Sequence, residues 1–507
     1  MSKPYGASDE TRAQPSELER GDKPPRLTAV RDVALTAAEI ASVAGGRVVS
    51  GDPGTRIAQW SIDSRTLGAG DLFVAIHGDR FDGHQFAAAA LAAGAAGVMV
   101  ARVPVLPQAG AGGPAPRSGS AQVPVVIQVD DTTRALQLAA REVRRRSGAR
   151  VVAITGSAGK TTTKELAAEL IGAKYTVFRN KGNFNNHIGL PLSLLALAAR
   201  PDVAVVELGM NHAGEIRTLL GIAEPEVRVW TNVGDAHMGF FASADAIADA
   251  KAEILEMSRP SDLLVAGGDD PRIRARLGAF SGRTVTFGLS DRADVYASLV
   301  DHRGLDGMAA TVTTPRGSVR IETSLLGTGN LLNLLAATAV ATELGVPLAA
   351  VAERAARVRP APHRGELLRL PGGIALIDDS YNSSPSALKR SLETVRNATG
   401  SARKVAILGE MLELGDHATR LHEECGWAAA ASGLDLLISV GGAPAQRLAD
   451  AAKTAGLAPA AVAYVPTSAE AAELALRRVR PGDLVLVKGS HGVHMDTVID
   501  RLKVEFA

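Results

Sequence analysis

A short segment with two glycines carries the strongest chemical signal in the sequence. Apolar residues 151–154 predict a buried strand, Gly156 and Gly159 follow it, and helical periodicity begins at Lys160. A strand, a glycine turn and a helix in this order direct backbone N–H groups and the positive helix end at a phosphate chain. The Lys160 amine is then expected to meet the β- and γ-phosphates, and the Thr161 hydroxyl to bind Mg²⁺.

This predicted phosphate loop is shorter than the standard P-loop. The standard spacing would place the first glycine at Ile154, whereas here it is Gly156. A tight turn without a ligand is the alternative interpretation. The residues expected to bind the nucleotide in this segment are consecutive: Thr155, Gly156, Ser157, Ala158, Gly159, Lys160, Thr161 and Thr162.

Two further polar residues follow predicted strands. Glu207 ends the apolar run 203–206, and His237 follows the run 227–230. Ligands of parallel sheets bind at the carboxyl ends of the strands, so both side chains are expected beside the phosphate loop. A carboxylate in that place is well sited to hold Mg²⁺. The alternatives are an ordinary acidic strand end for Glu207 and a structural role for His237.

Lys251 is unusual because it lies on an apolar helix face. In the predicted helix 243–257 it shares a stripe with Ile247, Ile254 and Leu255. A lysine in such a stripe extends its amine to water, pairs with a carboxylate or is chemically modified. The pattern alone favours extension of the amine to water.

The elements that must position these residues form two series. Short apolar runs alternate with helical periodicity, which predicts an α/β fold with parallel sheets covered on both faces. The predicted strands are residues 151–154, 203–206, 227–230 and 263–266, followed after Pro360 by residues 375–377, 404–408, 436–440 and 484–487.

Length and composition limit the class of protein. A chain of 507 residues is expected to form two to four domains. Its 55 basic and 54 acidic side chains give no bulk attraction to nucleic acid or to an anionic membrane. A single cysteine, Cys425, excludes an intrachain disulfide. We find neither an apolar run that would span a bilayer nor the apolar core of a signal peptide, and expect a cytoplasmic protein without stable membrane insertion.

Two segments are expected to lack stable packing. The first residues, to about Pro25, are polar and contain prolines, so they cannot bury enough surface to offset the entropy of ordering. An extension without function is the favoured interpretation. Residues 104–123 are rich in Ala, Gly, Pro and Ser and are interpreted as a flexible surface loop.

Further motifs, taken in order, resemble those of the Mur ligase family. Within this family they are most similar to the MurF type, whose members join D-alanyl-D-alanine to UDP-N-acetylmuramoyl-tripeptide. The likeness covers most of the chain after the first 35 residues. The motifs that carry it are residues 63–66, 70–75, 82–84, 155–165, 180–191, 207–211, 378–385, 408–416 and 487–490.

The resemblance implies an α/β fold with three domains. Residues 1–28 would be a disordered extension, and residues 29–128 a small α/β domain for the UDP-muramoyl substrate, including the flexible loop at 104–123. Residues 129–360 would form a central P-loop domain with a parallel, mononucleotide-binding sheet. Residues 361–507 would form a Rossmann-like C-terminal domain.

The resemblance also implies an activity. With ATP and Mg²⁺ as cofactors, the γ-phosphoryl group passes to the terminal carboxylate of the tripeptide and gives an acyl phosphate. The amine of D-alanyl-D-alanine then displaces phosphate, and the product is the UDP-muramoyl-pentapeptide precursor of peptidoglycan. We expect a monomer that binds these two substrates and no nucleic acid. The alternatives are a sibling ligase that adds another amino acid, or a non-catalytic nucleotide-binding relative.

Residue roles follow from the same resemblance, position by position. Lys160, Lys251 and His237 are expected to act in catalysis, and Lys251 to carry a carbamate that binds metal. Thr161, Glu207 and His237 are the other expected metal-binding residues. The expected nucleotide contacts outside the phosphate loop are Asn330, Asn333, Arg364, Asp379, Tyr381 and Asn382. The expected substrate contacts are Ser64, Arg65, Thr66, Asn185, Asn186 and Lys488.

The sequence departs from the family pattern at two positions, and several roles have simpler alternatives. Gly329 stands where many relatives have histidine, and His491 where many have arginine. Residues 64–66, 185–186 and 381–382 could only shape turns. Asn330 and Asn333 could cap a helix. Arg364 and Lys488 could be solvated surface charges.

Overall fold

The computed structural model describes residues 33–78, 81–103, 123–180, 182 and 184–506. The predicted disordered extension lies outside the described residues, as does nearly all of the predicted loop 104–123. The described residues form three sheets, one in each expected domain, with helices packed on them. The predicted α/β class and the three-domain organisation are confirmed. The exact boundaries near residues 129 and 361 stay predictions.

The N-terminal sheet has five strands in the order β1-β5-β4-β3-β2. Its strands pair in parallel except for β1, which is antiparallel to β5. The strands are β1 Arg47–Ser50, β2 Gln59–Ser61, β3 Asp71–Val74, β4 Gly97–Val100 and β5 Val125–Gln128, and the helices are α1 Ala37–Ala44 and α2 Ala87–Ala92.

The central sheet has nine strands in the order β14-β13-β12-β11-β10-β9-β6-β8-β7. The strands are β6 Arg150–Thr155, β7 Val177–Arg179, β8 Val203–Glu207, β9 Val227–Trp230, β10 Leu263–Gly267, β11 Arg283–Gly288, β12 Val295–His302, β13 Met308–Thr314 and β14 Gly317–Thr323. The helices are α3 Thr132–Ser147, α4 Lys160–Ile171, α5 Gly189–Leu195, α6 Glu215–Ala223, α7 Ala244–Ala252, α8 Pro271–Arg274, α9 Gly327–Glu343 and α10 Leu348–Arg357.

Strand β6, which leads into the phosphate loop, is buried on both faces. Successive side chains of a strand point to opposite faces of its sheet. Val151 and Ala153 pack in one apolar cluster and Val152 and Ile154 in another. A strand with apolar packing on both faces has a continuous run of hydrophobic residues. Strand β6 could therefore be located correctly from the sequence.

The central sheet was predicted to be parallel, which holds for its four predicted strands but not for one edge. Strands β12, β13 and β14 pair antiparallel and extend the parallel part of the sheet. The β13–β14 turn has only two residues between Thr314 and Gly317, and Gly317 has a φ of +121°. Burial in β13 alternates over part of the strand, so this region lacks the continuous apolar runs that marked the other strands.

The helix that carries Lys251 is shorter than predicted. Helix α7 begins after Ser243, whose hydroxyl accepts a hydrogen bond from the Ala246 N–H, and a 3₁₀ turn follows at Glu253–Leu255. The buried Arg228 guanidinium donates hydrogen bonds to the carbonyl groups of Ile254 and Glu256. These carbonyls are therefore bound by a side chain instead of by a continuing helix.

The C-terminal sheet has six strands in the order β15-β16-β20-β17-β18-β19. All pairs are parallel except β15–β16. The strands are β15 Glu366–Leu370, β16 Ile374–Asp379, β17 Arg403–Gly409, β18 Leu436–Val440, β19 Val462–Val465 and β20 Asp483–Lys488. The helices are α11 Pro385–Asn397, α12 Ala418–Ala430, α13 Ala443–Thr454, α14 Ser468–Arg478 and α15 Asp496–Glu505.

The central and C-terminal domains touch along two helices. Helix α11 of the C-terminal domain packs against α9 of the central domain, and α9 in turn packs against α4. These helices connect the phosphate loop with the C-terminal sheet. In the described part of the chain, no helix combines the length and apolar character that a membrane crossing requires.

Candidate active site

A cleft between the central and C-terminal domains collects most of the predicted site residues. It has a volume of about 850 Å³. Parallel pairing places the carboxyl ends of β6, β8 and β9 at one edge of the central sheet, and those of β16 and β20 at one edge of the C-terminal sheet. The predicted residues that line the cleft are Ser157, Ala158, Gly159, Lys160, Thr161, Thr162, Asn185, Asn186, Glu207, His237, Asn330, Asn333, Arg364, Asp379, Tyr381, Asn382 and Lys488.

The phosphate loop depends on two glycines with positive φ. A Cβ on Gly156 (φ +152°) would lie 1.9 Å from Thr231 Oγ1, and one on Gly159 (φ +79°) would lie 2.3 Å from Asn333 Oδ1. Helix α4 begins immediately after Gly159 and points its N-terminus at the cleft. The loop thus has the geometry of a phosphate site. Thr155 and Gly156 are buried behind it and shape the loop without lining the cleft.

The Glu207 carboxylate is fixed by two side chains from different elements. Its Oε2 accepts a hydrogen bond of 2.8 Å from the Thr161 hydroxyl, and its Oε1 accepts one of 2.8 Å from the Asn185 amide. The residue is only 3% exposed. A buried carboxylate is costly unless its oxygens are satisfied. These two bonds hold it beside the first turn of α4, where it faces the cleft.

The Lys160 amine folds back onto the loop and donates a hydrogen bond of 2.9 Å to the Gly156 carbonyl. Burial lowers the pKa of this amine, the charge of Glu207 opposes that effect, and the charge of Arg364 adds to it. Arg364 comes from the C-terminal domain, so the two domains contribute cations to the same part of the cleft. Two cations facing each other there suit a polyanionic ligand.

Lys251 is 1% exposed, which does not fit the interpretation that the pattern alone favours, an amine that extends to water. In the part of the chain that the structure describes, its amine has no hydrogen bond or ion pair. Burial, and to a lesser extent the charge of Lys160, lower the pKa of this amine well below its usual range. Burial thus disfavours the charged form of the amine. Lys251 interacts with Lys160 electrostatically but lies behind the surface of the cleft.

His237 pairs with a carboxylate of the other domain. Its Nδ1 lies 2.7 Å from Glu413 Oε2, and both residues have a left-handed backbone, with φ values of +64°. The hydrogen bond to His237 lowers the pKa of the Glu413 carboxyl group. Next to this pair, the Gly239 N–H donates to the Glu413 carbonyl at 2.8 Å. His237 therefore belongs to an interdomain contact at the edge of the cleft.

Asn330 and Asn333 lie in the first turns of α9, beside the phosphate loop. The Asn333 Oδ1 accepts a hydrogen bond of 3.2 Å from the Thr163 hydroxyl, and its amide lies 3.4 Å from Asn330 Oδ1. The Asn330 amide donates to the Leu326 carbonyl at 2.9 Å. An N-cap would accept from a backbone N–H instead. The capping alternative is therefore wrong for both residues.

Three side chains of the C-terminal domain form a stack that lines the cleft. The Arg364 guanidinium lies 4.0 Å from the centre of the Tyr381 ring, and the His491 ring stacks on Tyr381 at 5.5 Å between centres. Planar guanidinium and aromatic groups attract each other in this arrangement. Arg364 is half-buried by it, so it is not a freely solvated charge. His491 joins the stack at the position where the sequence departs from the family pattern.

Lys488 is buried, and its amine is hydrogen-bonded at the end of β16 and in the loop that follows. It is 3% exposed, and its amine donates hydrogen bonds to Asp379 Oδ2 at 2.7 Å and to the Asn382 carbonyl at 3.0 Å. Asp379 and Lys488 are partners in adjacent parallel strands. Lys488 is therefore not a solvated surface charge, and it fixes the conformation of residues 379–382. The Asn382 side chain accepts a hydrogen bond from the Ser383 N–H at 2.9 Å.

Asn185 and Asn186 have different hydrogen-bond partners. Asn185 holds Glu207, whereas the Asn186 Oδ1 accepts hydrogen bonds from the N–H groups of Ile188 and Gly189 at 3.2 and 2.8 Å. Asn186 therefore satisfies loop backbone, as the simpler alternative has it. Both residues still line the cleft.

Ser64, Arg65 and Thr66 lie in the N-terminal domain, apart from the residues that line the cleft. They form a turn centred on Asp63. The Arg65 guanidinium makes two hydrogen bonds to the Asp63 carboxylate at 2.8 and 2.9 Å, and Thr66 bonds the Asp63 carbonyl. The hydrogen bond from the Arg65 side chain lowers the pKa of Asp63 to about 2. The Arg65 side chain is 86% exposed.

Glu413 and Arg390 are among the cleft residues that sequence reasoning missed. Glu413 lies within the family-like motif 408–416, but nothing local indicates that it pairs with His237. Arg390 lies on α11, directly after the motif 378–385, and lines the cleft. Arg390 lies one helical turn from Ala387 and from Thr394, which also line the cleft. This spacing is the only local signal for Arg390 in the sequence.

Comparison with known proteins identifies one family over most of the chain. Three family models match: the Mur ligase family catalytic domain at residues 56–144, the Mur ligase middle domain at 154–341, and the Mur ligase glutamate ligase domain at 363–491. The chain is 33% identical over 441 residues to UDP-N-acetylmuramoyl-tripeptide–D-alanyl-D-alanine ligase of Bacillus subtilis (strain 168). That alignment covers 87% of this chain and 92% of the relative.

Solved structures agree with the sequence comparison. MurF from Acinetobacter baumannii matches with a TM-score of 0.82 and 29% identity, covering 94% of this chain and all of that one. A MurF ligase from Thermotoga maritima in complex with ADP matches with a TM-score of 0.75 and 29% identity. That match covers 88% of this chain and 97% of the other.

Proposed function

Because this chain belongs to the Mur ligase family, we propose that it is an ATP-dependent ligase that joins D-alanyl-D-alanine to UDP-N-acetylmuramoyl-tripeptide. The observation that carries the proposal is the shared cleft. Lys160, Thr161 and Glu207 face it from the central domain, and Arg364 and Tyr381 face it from the C-terminal domain. The cations suit the negative charge of a triphosphate and of a substrate carboxylate. The hydroxyl and carboxylate groups suit the magnesium ion that accompanies the triphosphate.

ATP is proposed to bind with its phosphates on residues 155–162. Lys160 would leave the Gly156 carbonyl and pair with the β- and γ-phosphates, and the start of α4 would face the same oxygens. Asn330 and Asn333 extend the nucleotide site along α9, and Arg364, Asp379, Tyr381 and Asn382 close it from the other domain. The Thermotoga maritima relative was solved in complex with ADP, which supports an adenine nucleotide as the ligand.

Magnesium is proposed to bind between the phosphates and the residues Thr161 and Glu207. Both offer hard oxygen atoms, and they already lie 2.8 Å apart. Mg²⁺ usually keeps several waters and binds phosphate oxygens, so Thr161 and Glu207 would supply only part of its coordination. Bound Mg²⁺ supplies positive charge against the triphosphate. His237 lies at the other edge of the same region and is proposed as a contact of a second ion.

Lys251 is proposed to carry a carbamate. Burial disfavours the charged form of this amine, and the uncharged form has the free electron pair that attacks the carbon of CO₂. The new N–C bond forms as one C=O π bond of CO₂ opens, one proton leaves the nitrogen, and the neutral amine becomes an anion with two oxygen atoms. An anion beside Lys160 would remove the repulsion that two neighbouring amines impose on each other.

The ligation is proposed to proceed in two steps. A carboxylate oxygen of the tripeptide attacks the γ-phosphorus of ATP, the bond to the β-phosphate oxygen breaks, and ADP and an acyl phosphate result. The dipeptide amine then attacks the acyl carbon, phosphate leaves with that carboxylate oxygen, and the amine loses a proton. Lys160 and Arg364 would hold the phosphate oxygens in line through the first step.

The remaining substrate contacts are proposed from the resemblance. Ser64, Arg65 and Thr66 would bind the UDP-muramoyl group, with Arg65 exchanging its Asp63 partner for substrate. Asn185 and Asn186 would lie nearer the peptide. Lys488 is proposed to act on the substrate chiefly by fixing the loop at Asp379. We further propose a monomer that works in the cytoplasm, with domains at residues 29–128, 129–360 and 361–507.

Phosphate release tests the function directly. The purified protein is given ATP, Mg²⁺ and UDP-muramoyl tripeptide, and release is measured with and without D-alanyl-D-alanine. We expect release that depends on the dipeptide, and its loss in Lys160→Ala. Lys174→Ala, which changes an exposed lysine on the same domain, is the matched control. Release that ignores the dipeptide would contradict the proposal and favour a sibling ligase or a nucleotide switch.

A further inference from the structure

Two glycines in the first turn of α9 leave room for side chains of α11. A Cβ on Gly327 would lie 2.3 Å from Thr394 Oγ1, and one on Gly329 would lie 3.4 Å from Arg390 Cδ and 3.5 Å from its Nε. Arg390 and Thr394 are four residues apart and so share one face of α11. Arg390 thus crosses from the C-terminal domain and passes along the backbone of the central domain at Gly329.

The Arg390 guanidinium has no direct polar partner in the part of the chain that the structure describes. Burial lowers the pKa of the group, and the charges of Asp235, Asp379 and Glu393 oppose this effect without forming an ion pair. A largely desolvated arginine that lines a ligand cleft and binds no neighbour is available for the ligand. Its planar, weakly hydrated group stacks well on flat aromatic rings.

The position of Arg390 relative to the phosphate loop indicates which part of a ligand it meets. Asn333 adjoins Gly159 in the loop, and Gly329 lies one helical turn nearer the start of α9, about 6 Å farther along the axis. Arg364 is the arginine whose charge acts on Lys160. Arg364 therefore belongs to the phosphate end of the cleft, and Arg390 to the end where the rest of a nucleotide extends.

We propose that Arg390 stacks its guanidinium group on the purine base of ATP, over the bare backbone at Gly329. This inference rests on the proposed ligase function and adds a specificity-determining residue to it. Gly329 contributes by having no side chain, so that Arg390 can lie against the start of α9 and keep the other face of its guanidinium group for the base. The charge of Arg390 is secondary to its planar shape in this arrangement.

The test compares Arg390→Ala and Arg390→Lys with wild-type enzyme, and uses Arg396→Ala as the matched control, an exposed arginine on the same helix. Loss of stacking on one base is expected to raise the KM for ATP about tenfold in both Arg390 variants. The KM values for UDP-muramoyl tripeptide and D-alanyl-D-alanine should not change. Arg390→Lys should not restore the KM for ATP, because lysine keeps the charge but lacks the planar guanidinium group.

A second measurement separates the base from the phosphates. Inorganic tripolyphosphate, used as a competitive inhibitor of ATP, should inhibit wild type and Arg390→Ala equally. Gly329→Leu, whose side chain would push Arg390 away from the start of α9, should raise the KM for ATP as well. Weaker inhibition by tripolyphosphate in Arg390→Ala, or full rescue by lysine, would overturn the inference in favour of a phosphate contact.

Other outcomes are equally decisive. An unchanged KM for ATP in Arg390→Ala, or an equal rise in the KM values of all three substrates, would overturn the inference. If wild-type protein showed no dipeptide-dependent phosphate release, the proposed function would fail independently. Calorimetric binding of ADP to wild type and Arg390→Ala would then still decide whether Arg390 contacts the nucleotide.

Discussion

The Thr161 hydroxyl donates a hydrogen bond of 2.8 Å to the Glu207 carboxylate, and so joins the start of α4 to the end of β8. Asn185 holds the other oxygen of the same carboxylate. The three residues come from separate parts of the chain, yet they form one oxygen-rich corner beside the phosphate loop. The proposed magnesium site depends on this corner.

Glu207→Gln should abolish most of the magnesium-dependent activity. The amide removes the negative charge and leaves one of the two donors, Thr161 or Asn185, without its acceptor. We expect kcat to fall about 100-fold or more, since charge stabilisation at a transferring phosphoryl group is a large effect. Steady-state kinetics over a range of Mg²⁺ concentrations measure this. Glu353→Gln, at an exposed site, should behave like wild type, and an unaltered Mg²⁺ dependence in Glu207→Gln would count against the site.

Lys251→Met should separate the effect of the buried amine on stability from its role in catalysis. Folding lowers the pKa of the amine, so the unfolded state binds more protons at neutral pH and stability rises as the pH rises toward the unfolded pKa. In buffer free of CO₂, the variant should therefore be more stable than wild type at pH 7, and this advantage should shrink as the pH rises toward 10.

The same variant should lose activity. Ligation requires the carbamate in our account, so kcat should fall by about 100-fold or more when Lys251 cannot form one. Wild-type activity should also drop in CO₂-free buffer and return when bicarbonate is added. Thermal melts and kinetics are done on the same preparations. Activity of Lys251→Met near the wild-type level would remove Lys251 from the catalytic residues.

Glu413→Gln should weaken the interdomain contact while leaving each domain folded. The hydrogen bond to His237 lowers the pKa of Glu413, so the contact stabilises the protein above the unfolded pKa and is lost as the pH falls through the folded pKa. Glu413 is largely exposed, so the difference in unfolding free energy at pH 7 should be under about 1 kcal/mol. It should disappear toward pH 3.

The kinetic effect of Glu413→Gln should exceed its effect on stability. Domain closure must recur in every cycle, so we expect kcat to fall several-fold, on the order of tenfold at most. Glu473→Gln, an exposed glutamate of the same domain, is the control. Identical kinetics of wild type and Glu413→Gln would show that the contact does not take part in turnover.

Gly156→Ala should damage the phosphate loop by crowding as well as by backbone strain. The new Cβ would lie 1.9 Å from Thr231 Oγ1, so we expect a loss of roughly 2 kcal/mol or more of stability and a large rise in the KM for ATP. Gly148→Ala is the matched control. Gly148 also has a positive φ, +69°, but a Cβ there meets nothing within 4 Å. Gly148→Ala should lower the free energy of unfolding by only about 1 kcal/mol and leave the KM for ATP unchanged.

Local chemistry could be predicted from the sequence. The phosphate loop, the strand before it and Glu207 at a strand end depend on residues close together in the chain, where apolar runs and glycine positions are informative. The face of α7 that carries Lys251 was also predicted correctly from its spacing. Whether that amine reached water could not be predicted, because it depends on what packs over the helix.

Contacts between distant residues could not be predicted. His237 and Glu413 are 176 positions apart, and Lys488 meets Asp379 across 109 positions. Neither pair leaves a periodic pattern in the sequence. The same holds for Arg390, whose place in the cleft follows from the packing of α11 on α9. The antiparallel strands β12 to β14 were missed because they lack continuous apolar runs.

Isotope transfer tests the central claim, that a peptide carboxylate is activated by phosphoryl transfer in this cleft. UDP-muramoyl tripeptide with ¹⁸O in both oxygens of its terminal carboxylate is converted with unlabelled ATP and D-alanyl-D-alanine, and the released phosphate is analysed by mass spectrometry. The account requires one ¹⁸O atom in each phosphate and one in the new amide. Unlabelled phosphate, with ligation proceeding, would contradict it.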